Sequence, residues 1–421
     1  MLTHSEIFPG VHLRCIQDRR FKHSALSLQY IRPMCREEAA MNALIPSVLL
    51  RGCKSAPDLR QITEKLDDLY GAAVSPISRR AGDWQTTGLY LSLMDDRFAQ
   101  EGEALTERVM DFLKELLFDY PEEEVGFLAD FVEGEKTNQI YAIEAEFNDK
   151  RAYCAQQLLK NMCREDSFGV PRMGERAEVE AITPQALLSH YKRLRRESQV
   201  EILYVGSAAP ERMAGLVKKL FAAEERAPLP LPAQGGLRLS GKGDFSERME
   251  LTQGKLCMGF VTPITVRNPD FPAMQLLCAV FGGDVTSKLF QNIREKQSLC
   301  YSIGAGYYSA KGIVLVSAGI DFDKEAHVRE EVLRQLDACR RGEISREELT
   351  AARASLISAL ESVPDSPGAL ESYYSSMVLG GSGLDPQAHR KALEAVTPED
   401  LTRAADSLRP HSTYFLKGAG Q

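Results

Sequence analysis

The chain has 421 residues, of which 44% are hydrophobic and 26% are charged, a composition typical of a globular protein in water. At about 150 residues per domain, this length predicts two or three domains. The 59 acidic residues outnumber the 51 lysines and arginines. The resulting net charge of −8 argues against nonspecific binding to nucleic acid or to an anionic membrane surface.

The cysteines and the N-terminal segment indicate a reducing, aqueous compartment. Nine cysteines are spread singly along the chain without a Cys-x-x-Cys pair, as expected of buried free thiols. The first residues lack the basic-then-apolar pattern of a signal peptide, and no apolar run approaches the ~18 residues of a membrane span. We therefore predict a cytoplasmic protein with no membrane segment.

In both halves of the chain, the spacing of hydrophobic residues changes from the alternation of strands to the three- and four-residue steps of helices. In the first half, alternating strands are predicted at 24–30 and 88–94, followed by an amphipathic helix at 104–118. The second half repeats this order, with strands at 255–261 and 312–320 and helices at 324–342 and 345–363. The last helix begins with Ser345 and has Glu348 three residues later, which is a capping box.

Matching segments indicate that the two halves are duplicated domains. A helix with Thr183 as N-cap and Pro184 as first residue recurs with Thr397 and Pro398, and a candidate strand follows each of these helices. Nearer the start of each half, Pro33, Leu59 and Tyr70 match Pro263, Leu289 and Tyr301. Two similar regions in the same order predict a duplication.

A segment near mid-chain, 225–242, is predicted to be an interdomain linker. Prolines and glycines interrupt every hydrophobic period there, although a long surface loop within one domain would have the same composition. The predicted division is a domain at 1–224, the linker, and a domain at 243–421. Strands and helices that cluster in runs predict the α+β class, with each domain a sandwich whose helices pack on one face of a largely antiparallel sheet.

The segment REKQSLCYSIGAGYY (294–308), with Arg294, Leu299 and Tyr301, resembles the C-terminal signature of the pitrilysin/insulinase-like zinc metallopeptidases, the inverzincins. The preceding FGGDVTSKLFQNI resembles that family's glycine-rich turn and helix. Residues 42–75 resemble the region in which the family's zinc helix ends at a glycine turn. This resemblance implies two homologous domains that form one half of a clamshell.

The zinc motif of that family is missing from the chain. Family enzymes carry His-x-x-Glu-His on the first helix, where two histidines hold zinc and the glutamate activates its water. Anchored on Gly52, the equivalent positions are Ala43, Pro46 and Ser47, which are not zinc ligands. No two of the seven histidines are three or four residues apart, and Glu144 is not in register with the third ligand. We predict no metal in this chain, although a site built from distant histidines stays open.

By resemblance, Arg294 and Tyr301 would bind the main-chain carbonyl of a substrate inside a cleavage chamber. The chain would then be a noncatalytic subunit that binds unfolded peptides and pairs with a homologue whose intact motif holds zinc. The alternative is that Arg294 is a surface charge near a helix C-terminus and Tyr301 a half-buried strand residue. Strand 72–78 resembles the family's substrate-pairing edge strand, or is an ordinary strand.

Two other functions stay open on the sequence. One is a structural or peptide-binding scaffold with no role in proteolysis. The other is a self-sufficient metallopeptidase with unrecognised ligands. Pairing with a second copy of the chain, instead of with a homologue, also stays open.

Overall fold

The computed structural model describes residues 2–123 and 126–419. Its strands are β1 (Leu2–Phe8), β2 (Val11–Gln17), β3 (His23–Pro33), β4 (Ala73–Ala81), β5 (Trp84–Met94), β6 (Glu122–Glu123), β7 (Gly126–Phe127), β8 (Gln199–Gly206), β9 (Asp244–Met249), β10 (Gly254–Val261), β11 (Cys300–Tyr308), β12 (Ile313–Ile320) and β13 (Arg409–Gly418).

The α-helices are α1 (Arg36–Leu49), α2 (Leu59–Asp68), α3 (Leu105–Phe118), α4 (Ala129–Asn148), α5 (Lys150–Met162), α6 (Arg176–Glu180), α7 (Pro184–Glu197), α8 (Pro210–Phe221), α9 (Phe271–Gly282), α10 (Glu325–Arg340), α11 (Arg346–Ser362), α12 (Pro367–Gly380), α13 (Pro386–Ala395) and α14 (Pro398–Ser407). A π-helical turn covers Phe290–Glu295. No helix in the described ranges is both long and apolar enough to cross a membrane.

Backbone contacts group the chain into two compact units. The N-terminal unit comprises the residues up to Ile143, Val170–Gln234 and Pro364–Ser376. The C-terminal unit comprises Glu144–Gly169, Gly235–Val363 and the residues from Met377 onward. The change of unit after Gln234 falls inside the segment 225–242, while the boundaries 1–224 and 243–421 stay a prediction.

The two sheets share one strand order, which supports the duplication. The sheet of the N-terminal unit has the order β1-β2-β8-β3-β5-β4, and that of the C-terminal unit has the order β11-β12-β10-β13-β9. Reading the second sheet in reverse matches β9, β13, β10, β12 and β11 to β2, β8, β3, β5 and β4. The pair β2–β8 is parallel, as is its counterpart β9–β13, and the other pairs are antiparallel. The predicted α+β class with two homologous sandwiches is confirmed.

Local signals start the helices where the sequence predicts. The Thr183 hydroxyl accepts the Ala186 N–H at the start of α7, and Thr397 caps α14 in the same way. Ser345 and Glu348 form the predicted capping box of α11, in which each side chain accepts the other residue's backbone N–H. These caps satisfy N–H groups that the first helical turn leaves without partners.

Each sheet has an apolar core on one face and a helix on the other. In the N-terminal unit the core face packs Leu13, Leu28 and Leu89 of the sheet against α1, α3 and α7. Segment 364–376 belongs to the same unit, and there Ser375 accepts a 3.0 Å hydrogen bond from Gln29 Nε2 on β3. Burial on both faces explains why eight consecutive residues of β3 are buried although an exposed strand would alternate.

In the C-terminal unit, α5 supplies the second layer. Cys154, Leu158 and Met162 of this helix pack against Cys257 and Leu416 of the sheet. On the opposite face, Phe260 of β10 and Phe281 of α9 make an edge-to-face contact with ring centroids 6.4 Å apart.

Replacing Gly88 with alanine should destabilise the N-terminal unit. A Cβ at this position of β5 would collide with the backbone carbonyl oxygen of Leu28, which cannot move without breaking the sheet. We expect the free energy of unfolding to fall by about 2–3 kcal/mol in urea denaturation. Gly306→Ala is the matched strand control, since no heavy atom lies within 4 Å of its added Cβ. Equal losses in the two variants would contradict this packing.

Candidate functional site

Arg294 lies on the π-helical turn Phe290–Glu295 of the C-terminal unit. Its guanidinium lies over the Phe290 ring at 4.5 Å from the centroid, and its Nε is 3.8 Å from Glu295 Oε1. The side chain is 42% exposed, so its donors can reach a ligand from solvent. π-Helical turns are rare, and those that do occur are frequently found at functional sites.

The backbone between Arg294 and Tyr301 is irregular. Ser298 has a φ of 49°, in the left-handed region that side chains other than glycine and asparagine seldom adopt. The N–H groups of Ser298 and Leu299 donate to the carbonyls of Arg294 and Ile293 at 3.1 and 3.0 Å, which ends the turn. The next residues enter β11.

Tyr301 is the extra residue of a β-bulge. Cys300 pairs with Ile320 and Ser302 with Gly319, so two positions on β11 oppose one step of β12 and Tyr301 has no partner between them. Bulges redirect side chains. Tyr301 is 60% exposed, more than a half-buried strand residue would be.

The Tyr301 phenol is held by Asp321. Its hydroxyl donates to Asp321 Oδ1 at 3.0 Å, and the other carboxylate oxygen pairs with Lys324 Nζ at 2.7 Å. The hydrogen bond to Asp321 raises the pKa of Tyr301, while Lys324 and then Tyr301 lower the pKa of Asp321. The phenol is therefore neutral at pH 7, with a lone pair available to an N–H donor and a proton that rotation of the hydroxyl can redirect.

A cleft of about 470 Å³ follows the free edge of β11. It is lined by Asp149, Arg151, Ala152 and Ala155 of α5, by Gly282 and Gly283, by residues 304–308 of β11, and by Leu315 and Ser317 of β12. Since consecutive strand residues face opposite sides of a sheet, lining by five in a row shows that the cleft runs along the strand edge. This cleft was not predicted from the sequence. The signal that could have found it is the pair Gly304 and Gly306 inside a strand, since glycine in a strand often marks a place where another backbone comes close.

The edge of β4 in the N-terminal unit is different. Strand 72–78 was predicted to be an edge strand, and β4 does lie at the edge of its sheet. Arg172 donates to the Ser78 carbonyl at 2.9 Å, so this carbonyl points away from β5. Alternation along an antiparallel pair then points the nitrogen of Pro76 outward as well, where it offers no N–H. This edge has lost a donor and has one acceptor occupied.

Helix α1 lies where the resemblance implies a zinc helix. It carries Ala43, Pro46 and Ser47 at the motif positions, and none of the three has a side chain that suits zinc. Within residues 2–123 and 126–419, no three His, Cys, Asp or Glu side chains are grouped so that they could hold a metal ion. The residues present do not fit the zinc site that the resemblance implies.

A buried amide network anchors α1 instead. Asn42 Nδ2 donates to Gln85 Oε1 on β5 at 3.0 Å, and His190 Nε2 lies 2.7 Å from Asn42 Oδ1. Arg193 can only donate, at 2.9 Å to His190 Nδ1, so the histidine proton sits on Nε2 and points at Asn42. Gln85 Nε2 also donates to the Ala39 carbonyl at 3.1 Å. None of these residues was identified from the sequence.

The chain is similar to a peptidase family and to a relative that are both described as inactive. The model of a family described as the peptidase M16 inactive domain matches residues 181–356. The probable inactive metalloprotease YmfF of Bacillus subtilis is 27% identical over 409 residues, covering 97% of this chain and 96% of that protein.

Two solved structures share the fold. A conserved protein from Enterococcus faecalis has a TM-score of 0.90 at 23% identity, covering 100% of this chain and 99% of the other. A peptidase M16 inactive domain from Pseudomonas fluorescens has a TM-score of 0.81 at 15% identity, covering 99% and 98%.

The His190 network should make stability depend on pH. Burial lowers the pKa of His190 from 6.5 to about 4, with Glu38 opposing and Arg193 and Arg32 adding to the effect. Between these two values the unfolded chain binds a proton that the folded chain does not, so stability falls as the pH drops from 6.5 towards 4.

We therefore expect His190→Gln to reduce the loss of unfolding free energy between pH 7 and pH 5 by about 1–2 kcal/mol. Urea denaturation at both pH values measures this. His327→Gln, at an exposed position of α10, is the control and should keep the wild-type pH dependence. An unchanged pH dependence in His190→Gln would show that His190 does not titrate as described.

Proposed function

We infer a noncatalytic, peptide-binding role for this chain, which belongs to the pitrilysin/insulinase-like peptidases (peptidase M16) as a member without the zinc motif. The matching family model describes an inactive domain, and the B. subtilis relative is named a probable inactive metalloprotease. The substitutions on α1 give the chemical reason, because Ala43, Pro46 and Ser47 provide neither a zinc ligand nor a base for water.

The observation that carries the peptide-binding proposal is the cleft along β11. An edge strand presents backbone N–H and C=O groups on its outer side, and an added strand satisfies them. The cleft is bounded by α5 on one side and by Gly282 and Gly283 on the other. Gly306 has no heavy atom within 4 Å of a built Cβ, so a peptide backbone has room beside it.

Arg294 and Tyr301 would act at the start of this strand. Tyr301 precedes Gly304 by three residues, which is about 10 Å along an extended strand. A peptide paired with β11 would therefore reach the phenol within a few residues. The Arg294 guanidinium presents donors in a fixed fork that suit a peptide carbonyl. The Tyr301 hydroxyl can accept from a peptide N–H while it donates to Asp321, or can donate to a peptide carbonyl after rotation.

We propose that the chain works as the noncatalytic subunit of a two-chain peptidase. The partner would be a homologue with an intact His-x-x-Glu-His motif, which would hold the zinc. This chain would contribute peptide binding along β11 and the donors of Arg294. Unfolded peptides suit such a site, because strand pairing depends on main-chain hydrogen bonds and requires an extended segment.

A scaffold that holds peptides without proteolysis is the second candidate. The cleft along β11 lies within the C-terminal unit, so peptide binding there needs no catalytic partner. The two candidates differ in one outcome, since only the subunit raises the hydrolysis rate of a zinc-bearing homologue.

Arg294→Ala should lower peptide hydrolysis by the reconstituted pair. Loss of a charged donor to the substrate carbonyl predicts a decrease in kcat/KM of about 10- to 100-fold. A quenched fluorescent peptide measures the rate. Arg341→Ala, which removes an exposed arginine paired with Glu343 in the same unit, is the control and should leave kcat/KM unchanged. Equal rates for wild type and Arg294→Ala would refute the role of Arg294.

Gly306→Leu should fill the cleft and weaken peptide binding. The probe is reduced, carboxymethylated α-lactalbumin, a permanently unfolded polypeptide, in biolayer interferometry with the isolated chain. We expect affinity to fall about tenfold with little change in Tm, because the added side chain enters open space. Gly236→Leu places the same side chain at an open position of the segment 225–242 and should bind like wild type. Undiminished binding by Gly306→Leu would place the peptide elsewhere.

A further inference from the structure

Helix α10 carries a buried carboxylate under the segment that holds Arg294. The Glu331 side chain is 2% exposed. It accepts hydrogen bonds from Gln335 Nε2 at 2.6 Å and from Arg334, whose own side chain is largely exposed. A carboxylate this deeply buried needs several donors to stay ionised, and an isolated one would destabilise the fold.

Hydrogen bonds connect Glu331 to residues on both sides of Arg294 in the sequence. Asn292 Nδ2 donates to Gln335 Oε1 at 2.9 Å, and Gln335 in turn donates to Glu331. Gln297 also lies close enough to Glu331 to donate to it. Residues 292 and 297 flank Arg294, so one carboxylate is tied to the chain before and after this arginine.

The other polar contacts of this segment lie at its exposed surface, where Lys324 Nζ donates to the Ser298 carbonyl at 3.4 Å and Lys296 Nζ donates to Asn292 Oδ1 at 3.0 Å. The Arg294 and Tyr301 side chains are exposed, the helical turn has the wide π geometry, and Ser298 has a left-handed backbone. Ile293 and Leu299 are its buried apolar anchors. Such a segment has alternative conformations close in energy unless specific contacts select one.

We propose that Glu331 is a positioning residue, which fixes the 290–299 segment so that Arg294 is presented to the peptide. The proposal rests on the peptide-binding function above. Nothing in the motif that carries the family resemblance includes this residue, which lies 37 positions further along the chain on another element.

The ionised form of Glu331 is the one that does this. Burial alone would raise the pKa of Glu331, but the hydrogen bonds from Gln335, Arg334 and Gln297 outweigh it and lower the pKa. A carboxylate accepts from all three donors at once. Glutamine at this position would have one acceptor oxygen in place of two and no charge, and its NH₂ group could not accept from the Arg334 guanidinium, which can only donate.

Hydrogen exchange tests the positioning directly and without a peptide. The Ser298 and Leu299 amides are bonded to the Arg294 and Ile293 carbonyls, so their exchange reports on the order of the segment. We expect amide hydrogen exchange in Glu331→Gln to accelerate about tenfold in the proteolytic fragment that spans 290–299 of this chain. Mass spectrometry of that fragment measures the exchange. Glu330→Gln, which changes the exposed neighbouring carboxylate, should exchange like wild type. Unchanged exchange in Glu331→Gln would overturn the proposal.

A double-mutant cycle links the positioning to binding. With carboxymethylated α-lactalbumin as probe, Glu331→Gln should weaken affinity about fivefold in the wild-type background and less than twofold in Arg294→Ala. A structural role alone would lower affinity equally in both backgrounds, which would refute the proposal.

The binding role of Arg294 and the positioning role of Glu331 can be refuted independently. If Arg294→Ala binds like wild type, the assigned role of Arg294 is wrong, while hydrogen exchange still decides whether Glu331 orders the segment. Asn292→Ala cuts only the link through Gln335 and leaves the carboxylate in place. It should give a smaller acceleration of exchange in the same fragment, and wild-type exchange would again contradict the proposal.

Discussion

Backbone groups at the edge of a β-sheet need hydrogen-bond partners, and the function proposed here depends on how each edge meets that need. In the N-terminal unit, the β4 edge offers no N–H at Pro76, and Arg172 already occupies the Ser78 carbonyl. In the C-terminal unit, the matching strand β11 lies beside a cleft whose lining includes Gly304 and Gly306. The β11 edge next to Tyr301 is therefore the one for which we propose a peptide strand as ligand.

The duplicated architecture makes this contrast informative. The two sheets share the order of five strands, so the edge strands β4 and β11 occupy equivalent positions. At α1, where the resemblance implies a zinc helix, the chain has a buried amide and imidazole network around Asn42 and His190, which connects the helix to β5 and α7. Around residue 294 the chain has an exposed, irregular segment that is linked to Glu331 through the Asn292–Gln335 hydrogen bond.

Much of the fold could be predicted because its signals are local. The Thr-Pro starts of α7 and α14, the capping box of α11 and the alternating strands each depend on a few adjacent residues. The placement of α5 could not be predicted, since it depends on packing against a distant part of the chain. Buried polar residues such as Gln29 and Glu331 look like surface residues in a sequence, because only tertiary contacts show which donors satisfy them. The bulge at Tyr301 leaves the residue pattern of a strand unchanged and was invisible for the same reason.

The proposed function has this chain bind peptides and leave bond cleavage to a zinc-bearing homologue. The most direct test is hydrolysis of a quenched fluorescent peptide by the purified chain, by a homologue with the intact motif from the same genome, and by their mixture, each with and without a metal chelator. We expect no cleavage by the chain alone and chelator-sensitive cleavage by the mixture at a rate above that of the homologue alone. Cleavage by the isolated chain that a chelator abolishes would contradict it.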